Sequence, residues 1–164
     1  MTSVLKVDSI QNTSGTVITG IVGAEVKQIT ASNTRSSATS YADDLDFGSY
    51  TPKLTTSTVL IQGVANFDSV NNNYCYYKWV VNGSDFLSTG STPLATHIFY
   101  SATSLNNLGH VPSTIITSVN NTDGSAISVK CQGKVQSGTL SINRSNNASQ
   151  GGSPSSVMFL ELAP

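Results

Sequence analysis

Apolar and polar residues alternate along most of the chain, in short runs that end at Gly, Asn, Asp, Ser or Pro. A period of two is typical of β-strands, whereas an amphipathic helix needs apolar residues three or four positions apart. The pattern predicts strands at residues 4–7, 16–22, 25–30, 39–42, 59–66, 74–81, 96–102, 113–119, 126–135, 139–144 and 157–163. Short strands separated by frequent turns predict an all-β fold, an antiparallel jelly-roll-like β-sandwich with a short N-terminal β arm.

The start of the chain differs from the rest, and we divide it into an N-terminal arm at residues 1–28 and one sandwich domain at residues 29–164. Two short apolar runs around a Gly turn form an isolated hairpin, which is marginally stable in water. An unpaired apolar strand edge also favours aggregation. The arm is therefore expected to pair with other copies of the chain or with a larger assembly, and its removal (residues 1–24) is expected to leave the domain folded. Its aliphatic residues are Val4, Leu5, Val7, Ile10, Val17, Ile18 and Ile21.

The predicted strand at 74–81 has large side chains on both faces, unlike the strand at 126–135, which has one apolar and one polar face. On one face, Tyr77 and Trp79 are predicted to anchor the core. The opposite face is a candidate interface between subunits, because Tyr and Trp are enriched at interface centres. Coverage of that face by loops is the alternative. The candidate interface residues, for a homotrimer, are Tyr74, Tyr76 and Val80.

Composition narrows the possible functions. Ser, Thr and Asn together supply 59 of the 164 residues, only 10% of residues are charged, and the formal net charge is −1. A nucleic-acid-binding protein needs a basic surface, so a nucleic-acid partner is not expected. No apolar stretch approaches the roughly 18 residues that span a bilayer, so no membrane partner is expected either. Cys75 and Cys131 are each expected to be small buried apolar residues, with a disulfide between them as the alternative.

Few residues are candidates for catalysis or metal binding. His97 and His110 have no second ligand at the spacing of a metal site. Asp43, Asp44 and Asp46 could contact Ca²⁺, but the rest of a calcium-binding loop does not follow them, and a solvated loop is favoured. No motif of a nucleophile, a phosphate-binding loop or a zinc protease is present. The sequence therefore predicts no enzyme, no cofactor and no metal.

Residues 3–15, SVLKVDSIQNTSG, resemble the SxLKVDxIxxxxG segment that opens many virion proteins of marine tailed bacteriophages, cyanophages especially. Residues 49–53 and 57–61 are similar to a Ser-x-Thr-Pro-Lys element followed by a strand in those proteins. Residues 140–144 and 155–162 look like their two final strands. The resemblance touches both ends and the middle of the chain.

The resemblance implies a structural protein on the surface of a phage particle, either a head decoration or knob or a tail fibre-like protein, and a homotrimer. The arm would dock on other virion proteins of the capsid or tail. The chain would fold in the cytoplasm of the bacterial host, where unpaired cysteines are common. The alternative is a tail-fibre knob that binds a host-surface glycan, with the loop Asn71-Asn72-Asn73-Tyr74 as the candidate for stacking on sugars.

Overall fold

The computed structural model describes residues 20–69, 73–86, 88–89, 92–93, 97–101, 111–143 and 152–164. Every regular element in these ranges is a strand. The strands are β1 (Ile21–Ile29), β2 (Asn33–Ser36), β3 (Ala42–Tyr50), β4 (Ser57–Ser69), β5 (Asn73–Val81), β6 (Ser84–Asp85), β7 (Ser88–Thr89), β8 (Thr92–Pro93), β9 (His97–Ser101), β10 (Val111–Asn121), β11 (Ile127–Val135), β12 (Thr139–Ile142) and β13 (Ser155–Leu162).

Among the described residues, these strands form two antiparallel sheets and a small ribbon. Sheet I has the order β1-β13-β4-β12-β2. In it β13 and β12 pair with successive parts of one edge of β4, and β10 pairs with the opposite edge of β4. Sheet II has the order β3-β11-β5-β6, and β9 also pairs with β5, while β7 and β8 form the ribbon. The predicted all-β, antiparallel, jelly-roll-like sandwich is confirmed.

The first described strand, β1, includes residues 21–28, which were assigned to the N-terminal arm. β1 pairs with β13 continuously from Gly23, opposite Glu161, to Ile29, opposite Ser155. Backbone hydrogen bonding therefore makes residues 21–28 part of sheet I. These residues cover the edge of β13, which would otherwise be exposed. A cut after residue 24 would therefore divide β1, and a separate arm stays a prediction for the residues before Gly20. Residues 1–19 of the predicted arm lie outside the described residues.

Aromatic side chains join the two sheets in the core. Tyr50 stacks on Phe159 with ring centroids 5.3 Å apart, and Phe67 stacks on Tyr77 at 4.5 Å. Each of these pairs has one ring from each sheet. Aromatic stacking stabilises a core beyond the area that it buries. The other fully or nearly fully buried apolar residues are Ala38, Leu45, Phe47, Val59, Ile61, Ala65, Trp79, Val80, Ile115, Ile127, Val129, Cys131, Val135, Leu140, Ile142 and Val157.

Cys131 lies in this core as a free thiol, so the alternative of a disulfide with Cys75 is not realised. Burial raises the pKa of the Cys131 thiol well above its ordinary value, with a smaller contribution from the negative charge of Asp44. A thiol held in the neutral form is chemically inert, as expected for a packing residue. The side chain of Cys75 lies outside the described residues.

Candidate interaction surfaces

The outer face of sheet II carries many of the charged side chains of the described chain. Lys78 pairs with Asp85 at 2.8 Å. Lys130, on the adjacent strand β11, contacts Asp43 at 2.7 Å and Asp46 at 3.1 Å, both on β3. Hydrogen bonds from Lys130 and Gln132 lower the pKa of Asp43. The strand order places opposite charges side by side, so Lys78 and Lys130 are each paired with aspartates of the same chain.

Two tyrosine rings on the same face lie beneath lysine ammonium groups. The Nζ atoms of Lys78 and Lys134 lie 4.9 and 4.7 Å from the centroid of the Tyr41 ring. Lys134 also lies 5.1 Å from the Tyr76 ring. Burial raises the pKa of the Tyr41 hydroxyl, and the negative charge of Asp85 adds to this effect. These cation–π contacts cover the rings with side chains of the same chain.

The predicted trimer interface falls on this face. Val80 is only 8% exposed within a single chain, so it has little surface left for a partner. Tyr76 is half-buried and contacts Lys134, while the side chain of Tyr74 lies outside the described residues. The opposite face of β5 points into the core, where Tyr77 and Trp79 are fully buried. A homotrimer through Tyr74, Tyr76 and Val80 stays a prediction, and the structure gives Val80 little part in it.

The three aspartates considered for calcium have separate partners. The Asp44 carboxylate accepts two hydrogen bonds from the Arg35 guanidinium, at 2.7 and 2.9 Å, and one from the backbone N–H of Gly133 at 3.0 Å. Asp43 and Asp46 instead face Lys130. Within the described ranges, no group of three or more potential metal ligands occurs. Asp44 therefore ties β3 to β2 of the other sheet.

The outer face of sheet I has the opposite chemistry. Strand register places Val26, Met158, Gln62 and Ile116 in one row across β1, β13, β4 and β10. Ile116 is 77% exposed and Val26 is 67% exposed. We call this surface the neutral face, because its outward side chains are apolar or uncharged. It comprises Val26, Leu60, Gln62, Val64, Thr114, Ile116, Ser118, Ser156, Met158 and Leu160.

Side-chain alternation keeps charge away from the neutral face. Glu25 and Lys27 flank Val26 on β1, but successive side chains in a strand point to opposite sides of the sheet. They pair with each other at 3.1 Å on the far side. The neutral face also contains a concavity of about 310 Å³ lined by residues that include Val26, Ile116 and Met158. The neutral face is therefore an uncharged surface with exposed apolar side chains and a concavity.

Two pairs of adjacent apolar residues in the sequence are a signal for the neutral face, and no function was predicted from them. Ile115 and Ile116 are adjacent in β10, as are Leu60 and Ile61 in β4. Adjacent apolar residues in a strand must point to opposite faces, so one of each pair has to leave the core unless both faces are covered. Ile115 and Ile61 are buried, whereas Ile116 and Leu60 are exposed.

The other predicted sites lie mostly outside the described residues. Of the seven arm residues proposed for docking, only Ile21 is described, and it is 64% exposed at the start of β1. Asn71 and Asn72 of the candidate glycan loop lie outside the described residues, and Asn73 begins β5. The side chain of His97 in β9 is likewise outside them. No helix within the described part of the chain is long and apolar enough to cross a membrane.

Comparison with known proteins gives no family. No protein-family model and no curated protein matches the chain. Among solved structures, the VP2 subviral particle of infectious bursal disease virus is similar with a TM-score of 0.36 and 10% identity, covering 96% of this chain and 44% of that chain. The structure of the Gx strain of the same virus has a TM-score of 0.35 and 10% identity, with 96% and 43% covered. The chain spans less than half the length of each.

Proposed function

We propose that this chain is a non-enzymatic structural protein of a tailed-bacteriophage particle. It is exposed on the particle surface as a head decoration or knob, or as a tail fibre-like component, and it assembles as a homotrimer. The observation that carries this proposal is the neutral face, where the apolar side chains of Ile116 and Val26 are exposed to solvent. An apolar patch in a row across four strands is typical of a protein–protein interaction site.

The resemblance of residues 3–15 to the opening segment of phage virion proteins is the reason for proposing a phage particle as the assembly. The ion pairs within the chain support a structural role. Arg35 pairs with Asp44, and Lys78 pairs with Asp85, so these charged groups bind each other. The free, buried thiol of Cys131 suits folding in the reducing cytoplasm of a bacterial host.

The direct test is the composition of purified phage particles that carry this gene. We expect quantitative mass spectrometry of gradient-purified particles to find the chain in a copy number divisible by three. Hundreds of copies per particle would identify a head decoration, and a few trimers would identify a tail component. Absence from purified particles, while the chain is abundant in the infected cells, would contradict the proposal.

Residues 1–19 are proposed to anchor the domain on the particle. A chain that begins at Gly20 keeps all of β1, so it should fold with a thermal midpoint within about 3 °C of the full chain. It should nevertheless be missing from particles when it replaces the full chain during infection. Removal of residues 1–28 is the matched control: it takes away nearly all of β1, exposes the edge of β13 and should destabilise the domain strongly.

Particles that carry the chain beginning at Gly20 at the normal copy number would show that residues 1–19 are not the anchor. A failure of this shortened chain to fold would show instead that residues 1–19 belong to the sandwich. Circular dichroism distinguishes the two results before any particle is examined.

A further inference from the structure

We propose that the neutral face is the surface through which copies of this chain contact one another. This inference rests on the self-association in the proposed function and names the surface that carries it. It replaces the face of β5 that contains Tyr76 and Val80, where one chain already buries Val80 and covers Tyr76 with Lys134.

The neutral face has the free apolar area that an interface needs. Ile116 lies near the middle of β10, and Val26 lies on β1 at the far side of the same row. Met158, which is 37% exposed, lies between them. The backbone hydrogen bonds of four adjacent strands hold these side chains in place, so little ordering is needed on association. Removing such a row from water drives association.

The distribution of charged side chains favours a second copy of the chain as the partner that covers the neutral face. When the neutral faces of three copies meet around a common axis, no charge is buried, because none of the ten side chains that define the face is charged. When the neutral face meets the outer face of sheet II, Lys130 and Asp43 would have to be desolvated against apolar groups, which is unfavourable. The formal net charge of −1 also leaves little long-range repulsion between copies.

The experiment measures the association state of the full chain by native mass spectrometry and by analytical ultracentrifugation across a concentration series. We expect the unmodified chain to associate, and Ile116→Lys and Val26→Lys each to raise the dissociation constant at least about tenfold, because each would bury an unpaired ammonium group. Both residues are mostly exposed, so the isolated domain should tolerate lysine at either position.

Two control variants carry the same substitution elsewhere. Thr122→Lys adds a lysine in the exposed segment directly after β10 and should leave the association unchanged. Tyr76→Lys changes the face of β5 and should also leave it unchanged. Circular dichroism confirms that each variant is folded, and Ile116→Gln, which adds no charge, replaces any lysine variant that is not.

The inference is overturned if the unmodified chain stays monomeric, or if Ile116→Lys associates as the unmodified chain does. It is also overturned if Tyr76→Lys dissociates the assembly, or if removal of residues 1–19 does so, since that segment would then be the occupant. These results do not depend on particle composition. The chain can therefore be a virion protein with a different interface, or associate through this face and be absent from virions.

Discussion

Trp79→Ala should lower the free energy of unfolding by about 3–5 kcal/mol, the range for truncation of a large buried aromatic residue. The indole is fully buried and stacks on Phe47 with ring centroids 5.9 Å apart. Its Nε1–H donates a hydrogen bond of 3.1 Å to the Ser113 hydroxyl of the opposite sheet. A Cβ added to Gly63 would lie 3.0 Å from the indole, so the glycine leaves space for the ring. Alanine would open a cavity between the sheets and remove the bond to Ser113.

The measurement is urea unfolding followed by circular dichroism, because Trp79 is the single tryptophan and the variant has no tryptophan fluorescence. Tyr76→Ala, on the outer face of the same strand, is the matched control and should cost no more than about 1.5 kcal/mol. Equal losses in the two variants would contradict the placement of Trp79 as a core anchor. All variants are compared at one protein concentration, because association also adds to apparent stability.

Strands with a strong local pattern between turn residues could be predicted from the sequence alone. β11 was predicted at residues 126–135 and is observed as Ile127–Val135, where buried and half-buried residues alternate throughout. β5 was predicted at 74–81 and is observed as Asn73–Val81. In β11 the hydrophobic effect acts on one face, so the local pattern already contains most of the information that places the strand.

β3 shows where local information was insufficient. The prediction ended at residue 42, whereas the strand extends over Ala42–Tyr50. Asp is depleted in strands, and Asp43, Asp44 and Asp46 together resembled a loop. Their partners, Lys130 and Arg35, come from other strands and make the extended conformation favourable. A pattern along one segment does not reveal a partner that is distant in sequence.

The surroundings of the candidate interface also depend on residues that are distant in sequence. The aromatic residues of β5 suggested an exposed apolar face, but β11 places Lys134 opposite Tyr76 in the register. Lysine chains therefore cover rings that the sequence alone left free. The exposed apolar row of sheet I, in contrast, combines one residue from each of four strands. Their alignment depends on strand order and register, which the sequence pattern does not specify.

Glu161 is a buried carboxylate that should be essential for stability. It is fully buried on the inner face of β13 and accepts hydrogen bonds from the Tyr50 hydroxyl at 2.7 Å and from the backbone N–H groups of Lys53 and Leu54 at 2.8 and 3.0 Å. Gly23 leaves the space, since a Cβ there would collide with the Tyr50 hydroxyl. Glu161→Gln cannot accept all of these bonds, because its amide NH₂ faces at least one donor. We expect a loss of about 2–4 kcal/mol in the free energy of unfolding.

The same carboxylate should make stability depend on pH. Burial alone would raise the pKa of Glu161, but the hydrogen bonds from Lys53, Tyr50 and Leu54 lower it from 4.5 to about 2. A carboxyl whose pKa is lower in the folded state stabilises the fold fully above its unfolded pKa, and this contribution is lost as the pH falls. The difference in unfolding free energy between the unmodified chain and Glu161→Gln should therefore be constant above about pH 5 and shrink between pH 4.5 and pH 2.

Urea unfolding at several pH values measures this difference, and Glu25→Gln is the matched control. The Glu25 side chain is 44% exposed and pairs only with Lys27 among the described ion pairs, so this variant should change stability by less than about 0.5 kcal/mol. A difference for Glu161→Gln that stays constant down to pH 2 would mean that the carboxylate is not held ionised by its three donors. Because those donors lie on β3 and the segment after it, the acid-sensitive step should be the release of that segment from β13.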